Sequence, residues 1–404
     1  MATVIRNARV MTCDPARPGL GMIDHGAIVI DDTTIAWVGD DAHAPAADEV
    51  IDAGGKLVTP GLVDCHTHAI FAGNRANEFA MRAEGKGYLE IAAAGGGINA
   101  TLGPTRAAPD AVLTRLLIER FERARAAGTT TMEVKSGYAL TTDGELRLLE
   151  LIRLCSAGGH GRVQLVPTLL AHLVPPDRRD DRDVFVREIC EQWIPRAAAT
   201  VPVAPFGRLA TSVDVWCEQG AFTLEETSAI IAAAKASGLG VRGHVGQLSD
   251  VGAAELFAES GAVSVDHLEQ INDKAIAMLA EAGTVAVMLP GACVQLRLPV
   301  PPVEKLRAAG VPMAVATDLN PGTSNGETLG VQLWLAATHF GMTVEEAWLG
   351  VTRHGARALR VDAGVIAPRR QADLVIWDCE QPEEVPYRYG TNLVSRVITR
   401  GGLT

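Results

Sequence analysis

No two cysteines in this 404-residue chain stand in a CxxC pair or at a disulfide-framework spacing. That excludes a disulfide-stapled scaffold and leaves the seven thiols, at positions 13, 65, 155, 190, 217, 293 and 379, as reduced and mostly buried residues. The opening MATVIRNARV lacks a basic segment followed by an apolar one, so no secretory leader is read there. No apolar run reaches the roughly 20 residues of a membrane-spanning helix. Positive charge is in deficit: 36 Lys and Arg stand against 48 Asp and Glu, a formal net charge of -12. A nucleic-acid groove or a contact with an anionic membrane is therefore not expected, although local arginines can still serve a small anionic substrate. Internal repeats and low-complexity tracts are also lacking. What remains, at 48% hydrophobic and 21% charged residues, is the composition of a globular enzyme, expected in the cytoplasm.

Both chain ends read as short strands separated by turn signals. TVIRNARVMT, GAIVIDD and TIAWVGD lie at the start, and QADLVIWD and NLVSRVITRGG at the end. Neither set closes a core alone, so the expectation is one small β-sandwich built from residues 1–58 and 363–404. The centre, 59–362, alternates strand-like runs with helix patterns such as DAVLTRLLIERFERARAAG and LEETSAIIAAAKASG. The strand-like runs are LVDCHTH (62–68), TTTMEVK (129–135), VQLVPTLL (163–170), SVDVWC (212–217), GVRGHV (240–245), VSVDHL (263–268), TVAVML (284–289) and PMAVATD (312–318). Eight nearly continuous apolar strands with crossover helices fit a closed parallel (β/α)8 barrel; an open doubly wound sheet is the rival.

In such a barrel the chemistry sits at the C-terminal ends of the strands. The first run ends in His66 and His68, which share a face because they are two apart. His172 follows the third run, and His244 ends the fifth with Gln247 three residues on. Asp266-His267 end the sixth and Asp318 ends the eighth. A single histidine is more often a satisfied core residue than a ligand. A set converging from several strand ends reads instead as a site for a borderline divalent ion, with His66, His68, His244 and Asp318 as ligands.

PGLVDCHTH (60–68) resembles the signature of the amidohydrolase superfamily. The likeness narrows at HAIFAGNRANEF (68–79), AGGGI (94–98), EVKSGYAL (133–140), AHLVPP (171–176), HVGQLSD (244–250), DHLE (266–269), LPGA (289–292) and ATDLNPGTS (316–324). Together these resemble the branch that opens the ring of 4-imidazolone-5-propanoate to N-formimino-L-glutamate in histidine degradation. The resemblance implies a metallo-barrel joined to a β-sandwich of both chain ends, one zinc or iron ion per subunit, and a homodimer. It implies His66, His68, His244 and Asp318 on the metal, Gln247 against the ring and the attacking water, and His267 as electrophile or proton relay. Arg75, Tyr88, Tyr138 and His172 would line the substrate pocket, with Asn320, Gly322 and Thr323 shaping its other wall.

The chemistry agrees with that assignment. Cleaving a cyclic amide needs a stronger nucleophile than bulk water, and a metal lowers the pKa of bound water to about 7. Asp318 is placed to carry the proton to the leaving nitrogen, His267 to donate to the developing oxyanion, and Arg75 to fork the propanoate. Three alternatives stay open: a hydantoin-like acid as substrate, deamination of a heterocycle, and a barrel that binds a small acid without turnover.

Other residues carry plainer readings. Arg75 has a second reading as a salt-bridge partner of Glu78. Lys135 reads as the partner of an acid such as Glu133 rather than a carboxylated metal bridge. Cys65 points toward the helix layer. Asp64 shares the inward parity of the two histidines and is expected to orient a ligand imidazole. Gly95-Gly96-Gly97 reads as a turn over the pocket, since no lysine follows to make a phosphate loop.

Overall fold

The computed structural model describes residues 2–86, 90–91, 96–156, 162–201 and 206–403. The chain begins with strands β1 (Ala2–Met11), β2 (Met22–Asp31), β3 (Thr34–Asp40), β4 (Glu49–Asp52) and β5 (Leu57–Pro60). Eight strands follow: β6 (Leu62–Asp64), β7 (Thr129–Lys135), β8 (Gln164–Ala171), β9 (Ser212–Cys217), β10 (Gly240–Val245), β11 (Ser264–His267), β12 (Val285–Met288) and β13 (Met313–Val315). The last three are β14 (Leu374–Trp377), β15 (Val394–Thr399) and β16 (Gly402–Leu403).

The two chain ends share one sheet, ordered β16-β15-β14-β5-β1-β2-β3 with β4 also on β1. Its apolar face, including Ile5, Val10, Ile28, Ile30, Ile35, Val58, Leu374, Ile376 and Ile398, forms its own buried cluster. Strand β5 pairs with β14 and then passes through Gly61 directly into β6, so the two chain ends and the barrel are joined without a linker.

Strands β6 to β13 form the second sheet in sequential order, every neighbouring pair parallel. The eight strand-like runs of the sequence are these strands. In β7 all seven residues are buried. Met132 and Val134 join the apolar cluster shared with Leu117, Phe121, Leu148 and Ile152 of the helix layer. Glu133 and Lys135, with the opposite parity, enter a buried group of charges with Asp214, Arg242 and Asp266. The interior of this barrel is therefore ionic where such barrels are usually aliphatic.

Two boundaries differ most from the sequence reading: β13 ends at Val315 rather than at Asp318, and β6 also stops early. The run 62–68 is not one strand: β6 stops at Asp64. Beyond it the chain crosses the barrel seam. Thr67 O still accepts from Lys135 N at 2.9 Å, while His68 N donates to Leu319 O at 2.8 Å and Asp318 N to His66 O at 3.1 Å. Thr67 and Leu319 form a parallel bridge that joins the first and last strands at the barrel mouth. The segments carrying His66, His68 and Asp318 are thus stitched to each other where the barrel closes.

Two connecting helices show how local sequence sets the ends. Leu224–Ala236 starts with a capping box in which Thr223 and Glu226 satisfy each other's backbone N–H groups. It ends before Gly238, whose φ of +69° is in the left-handed region that favours glycine. Among the described residues no helix is long and apolar enough to cross a membrane, and all seven cysteines are free, six of them buried.

Candidate metal centre and active site

His66 is buried and its Nδ1–H donates to Asp266 Oδ2 at 2.7 Å. His244 Nδ1–H likewise donates to Asp214 Oδ1 at 2.8 Å. Against an ionised carboxylate, each bond selects the tautomer that leaves Nε2 as a bare lone pair. Those lone pairs converge. His244 Nε2 is 3.3 Å from His68 Nε2, and Asp318 Oδ1 is 3.4 Å from His66 Nε2 and 3.5 Å from His68 Nε2. Ligand atoms roughly 2.0–2.1 Å from a tetrahedral ion lie about 3.3 Å apart, so the spacing fits a small divalent cation. His66 Nε2 is buried without a hydrogen-bond partner among the described residues, as fits a ligand atom. Burial holds His66 and His68 well below the ordinary imidazole pKa, keeping them neutral as metal ligation requires.

The orienting carboxylates are themselves held. Lys135 Nζ lies 2.6 Å from Asp214 Oδ2, 2.7 Å from Glu133 Oε2 and 3.8 Å from Asp266 Oδ2. For Asp214, burial pushes the pKa up, but His244 and Lys135 outweigh it and keep the carboxyl ionised. Lys135 loses charge preference to burial and regains more from Asp214 and Glu133, so it stays an ammonium. The expected pairing of Lys135 with an acid holds, and it has three such partners, Asp266 being the most distant. Asp64, by contrast, orients no ligand imidazole. Its carboxylate reaches across the seam to Thr317, accepting from Thr317 N at 3.1 Å and Oγ1 at 2.6 Å. Asp266, on the other side of His66, takes the place expected for it. Cys65 packs among Val63, Val166, Ala356 and Leu359, toward the helix layer as its parity indicated.

Two site residues have backbone angles that L side chains rarely adopt: φ is +83° at His267 and +51° at Asp318. For Asp318 the cause is visible. Its N–H is tied to His66 O and its carbonyl accepts from Asn320 Nδ2 at 2.7 Å, which turns the chain as it leaves the barrel. Burial pushes the Asp318 carboxyl up to about 6. At His267 burial lowers the pKa, but Glu269 and Asp318 outweigh it and leave the imidazole above its ordinary value.

Above these groups lies a cleft of about 690 Å3, open mouth included. Its wall contains His68, Arg75, Tyr138, His172, His244, Gln247, His267, Asp318, Asn320 and Thr323. His66 sits beneath it. His172 stacks on His68 with ring centroids 5.6 Å apart and is oriented by a 3.0 Å bond from Nδ1 to Gly137 O. Burial raises the Tyr138 hydroxyl, which keeps it a neutral donor. Asn320 Oδ1 accepts from Gly322 N at 2.8 Å and Thr323 N at 2.7 Å, so this amide shapes its own loop. Gly322 stands behind the wall, where a Cβ would overlap the Arg75 guanidinium. Tyr88 and Gly95 lie outside the described residues. Gly97, at φ +83°, and Ile98 line the cleft as the turn reading of the glycine string implied.

Arg75 satisfies both of its readings. It faces the cleft and also pairs with Glu78, through Nε–Oε1 at 2.8 Å and Nη2–Oε2 at 2.7 Å. The pair is not on the surface: the side chains are 8% and 1% exposed. Sequence reasoning missed Leu173 and Trp216 in the wall. The signal for Trp216 was its parity with Asp214, whose carboxylate turns inward to Lys135 and His244.

A barrel with histidines past its first strand, a histidine on its fifth, an aspartate after its eighth and a sheet of both chain ends defines a class. The family model described as "Amidohydrolase family" matches residues 57–402, and the chain belongs to that family. Its curated relatives carry a narrower name. The chain is 44% identical over 406 residues to "Imidazolonepropionase" of Paracoccus denitrificans (strain Pd 1222), covering 99% of each sequence. It is 45% identical over 401 residues to "Imidazolonepropionase" of Caulobacter vibrioides (strain NA1000 / CB15N), covering 98% of each. Among solved structures, atrazine chlorohydrolase TrzN from Arthrobacter aurescens TC1 complexed with zinc superposes with a TM-score of 0.73 at 18% identity, covering 99% of this chain and 94% of that one. That likeness concerns the fold.

Proposed function

We propose that this protein is a hydrolase that opens the ring of 4-imidazolone-5-propanoate to N-formimino-L-glutamate. The observation that carries the reading is the placement of Arg75 on the wall of the cleft that His68, His244 and Asp318 also line. A small cyclic amide bearing one carboxylate matches a site with a cation at one side and convergent ligand atoms at the other. The imidazolonepropionase relatives, 44–45% identical over nearly the whole chain, support the same substrate.

One zinc or iron ion would be held by His66, His68, His244 and Asp318, and when bound it would supply a polarised carbonyl and an acidified water. In the reaction the ring C–N amide bond breaks. The hydroxyl of water ends on the carbonyl carbon as a new carboxylate, and a proton goes to the leaving ring nitrogen. Asp318 takes the water's proton at its carboxylate and returns it to that nitrogen. His267, with its raised pKa, donates to the oxygen on which charge develops. Gln247, three residues past His244 and in the cleft wall, has an amide that donates to and accepts from the ring without a change of charge. Tyr138 and His172 close the side of the ring and exclude water, while Arg75 fixes the propanoate. The proposal extends to a cytoplasmic homodimer, as the family resemblance implies.

The test is loss of imidazolone absorbance on adding purified protein loaded with zinc or iron, with product identified by mass. Release of ammonia instead would favour deamination, and no turnover with either metal would overturn the reading.

A further inference from the structure

The arginine proposed to hold the propanoate is not free to turn. Both Glu78 oxygens receive it, Oε1 from Nε and Oε2 from Nη2. Oε1 also accepts the backbone N–H of Gly97 at 2.9 Å, and Oε2 lies 3.3 Å from Arg82 Nη2. Arg82 Nη1 in turn donates to Gly322 O at 2.9 Å, and that glycine's backbone lies against the Arg75 guanidinium. One carboxylate at 1% exposure therefore gathers four donors. Two come from Arg75, one from the turn at 96–98, and one from a residue that grips the loop after β13. Gly96 is tight for the same reason, since a Cβ there would meet Ile91 and approach Glu78.

Three consequences follow from the chemistry. With Nε and one Nη2 proton engaged, the guanidinium edge that remains for a ligand is Nη1 with the other Nη2 proton. That edge is a two-proton fork of the kind a carboxylate's two oxygens accept, which matches a ligand with a single carboxylate. And Gly97 belongs to the cleft wall, so the residue that aims the arginine also pins part of the enclosure around it.

We infer that Glu78 is the positioning residue of the anion subsite: it aims Arg75 at the substrate's propanoate and latches the 96–98 turn onto the same cleft. This inference rests on the propanoate reading proposed above.

The test uses zinc-loaded protein and calorimetric binding of two ring analogues, hydantoin-5-propanoate and 5-propylhydantoin, which differ in one carboxylate. Wild-type protein is expected to prefer the propanoate by on the order of 10- to 100-fold, the size of a charge-assisted contact. Glu78→Gln keeps the shape and removes the charge. Glu78→Asp keeps the charge and shortens the reach by one methylene. Both are expected to lose most of the preference while binding 5-propylhydantoin nearly as well as wild type. If Glu78→Asp retains the full preference, Glu78 balances charge without aiming the arginine, and the inference falls. It falls equally if both variants retain the preference or lose both ligands alike. If Glu78→Gln does not fold, Glu78→Asp alone decides. A wild type that does not distinguish the two ligands removes the propanoate reading itself, and that outcome is recognised before any variant is made.

Discussion

Lys135 Nζ lies 2.6 Å from one oxygen of Asp214, and the other oxygen of that carboxylate accepts from His244 Nδ1 at 2.8 Å. A strand residue with no access to the cleft thus reaches a proposed metal ligand through a single carboxylate. Removing the ammonium leaves Glu133, Asp214 and Asp266 buried without it. Lys135→Met is expected to destabilise the fold by on the order of 3–5 kcal/mol, the usual cost of orphaning a buried charge. Denaturant unfolding of metal-free protein checks this; a loss under about 1 kcal/mol would show that the carboxylates take up protons at little cost.

Asp214→Asn acts on the imidazole instead. The amide still accepts through its oxygen, but its NH2 then faces Lys135, so the tautomer of His244 is no longer enforced. Metal affinity is expected to fall by roughly 10- to 100-fold. Competition with a coloured chelator measures it directly, without any assay of turnover. Unchanged affinity would mean that His244 is oriented by packing alone.

Gly322→Ala places a methyl group where the Arg75 guanidinium lies. The expected result is a KM raised by on the order of 10-fold with kcat reduced less, because the anion contact moves and the reacting groups do not. Gly103→Ala is the control: nothing lies within 4 Å of a Cβ there, the position is inside the helix Asn99–Ala107, and the change should be neutral or slightly stabilising. Equal effects from the two substitutions would remove the steric argument.

Metal removal should be visible in stability as well as in activity. An ion bound only by the folded chain stabilises it by about 2.7 kcal/mol when its concentration is 100 times the dissociation constant. Dialysis against a chelator is therefore expected to lower Tm, and zinc or iron to restore it. A Tm indifferent to both would argue against the four-residue ligand set.

Asp373 gives a pH dependence away from the cleft. It is buried and accepts from Arg400 N at 2.8 Å and Gln371 Nε2 at 2.6 Å, yet burial pushes its carboxyl up to about 6 from 3.8. The folded state binds the proton more tightly than the unfolded one, so this group's contribution to stability falls as pH rises from about 4 to 6 and stays lower above. The change is on the order of 2–3 kcal/mol. Asp373→Asn is expected to gain that amount relative to wild type between pH 4 and pH 7, read from paired urea unfolding curves. Parallel pH profiles would contradict it.

Much of the barrel was legible because each strand announces itself. A parallel strand covered on both faces must be apolar nearly throughout, and eight such runs with turn and helix patterns between them admit few architectures. Period-two geometry also placed Cys65 outward and gave His66 and His68 a common face. The same parity misled at Asp64. Inward at β6 means toward the seam with β13, where Thr317 is the nearer partner, and parity contains no information about which strand lies across. The end of β6 was misplaced for a related reason: the backbone through His68 keeps making hydrogen bonds, but its partners change at the seam.

What the sequence by itself determined is the set of chemical types and the end of the barrel at which they stand, because both follow from local periodicity and the identity of the side chains. What only the tertiary structure decided is who holds whom. Asp266 rather than Asp64 orients His66, Lys135 braces Asp214, and Glu78 gathers an arginine, a turn and a neighbouring arginine at one buried carboxylate. Those contacts depend on strand register, seam position and helix docking. They are long-range in sequence or hidden among many equivalent charged pairs, and burial, visible only in the folded chain, is what makes each of them strong.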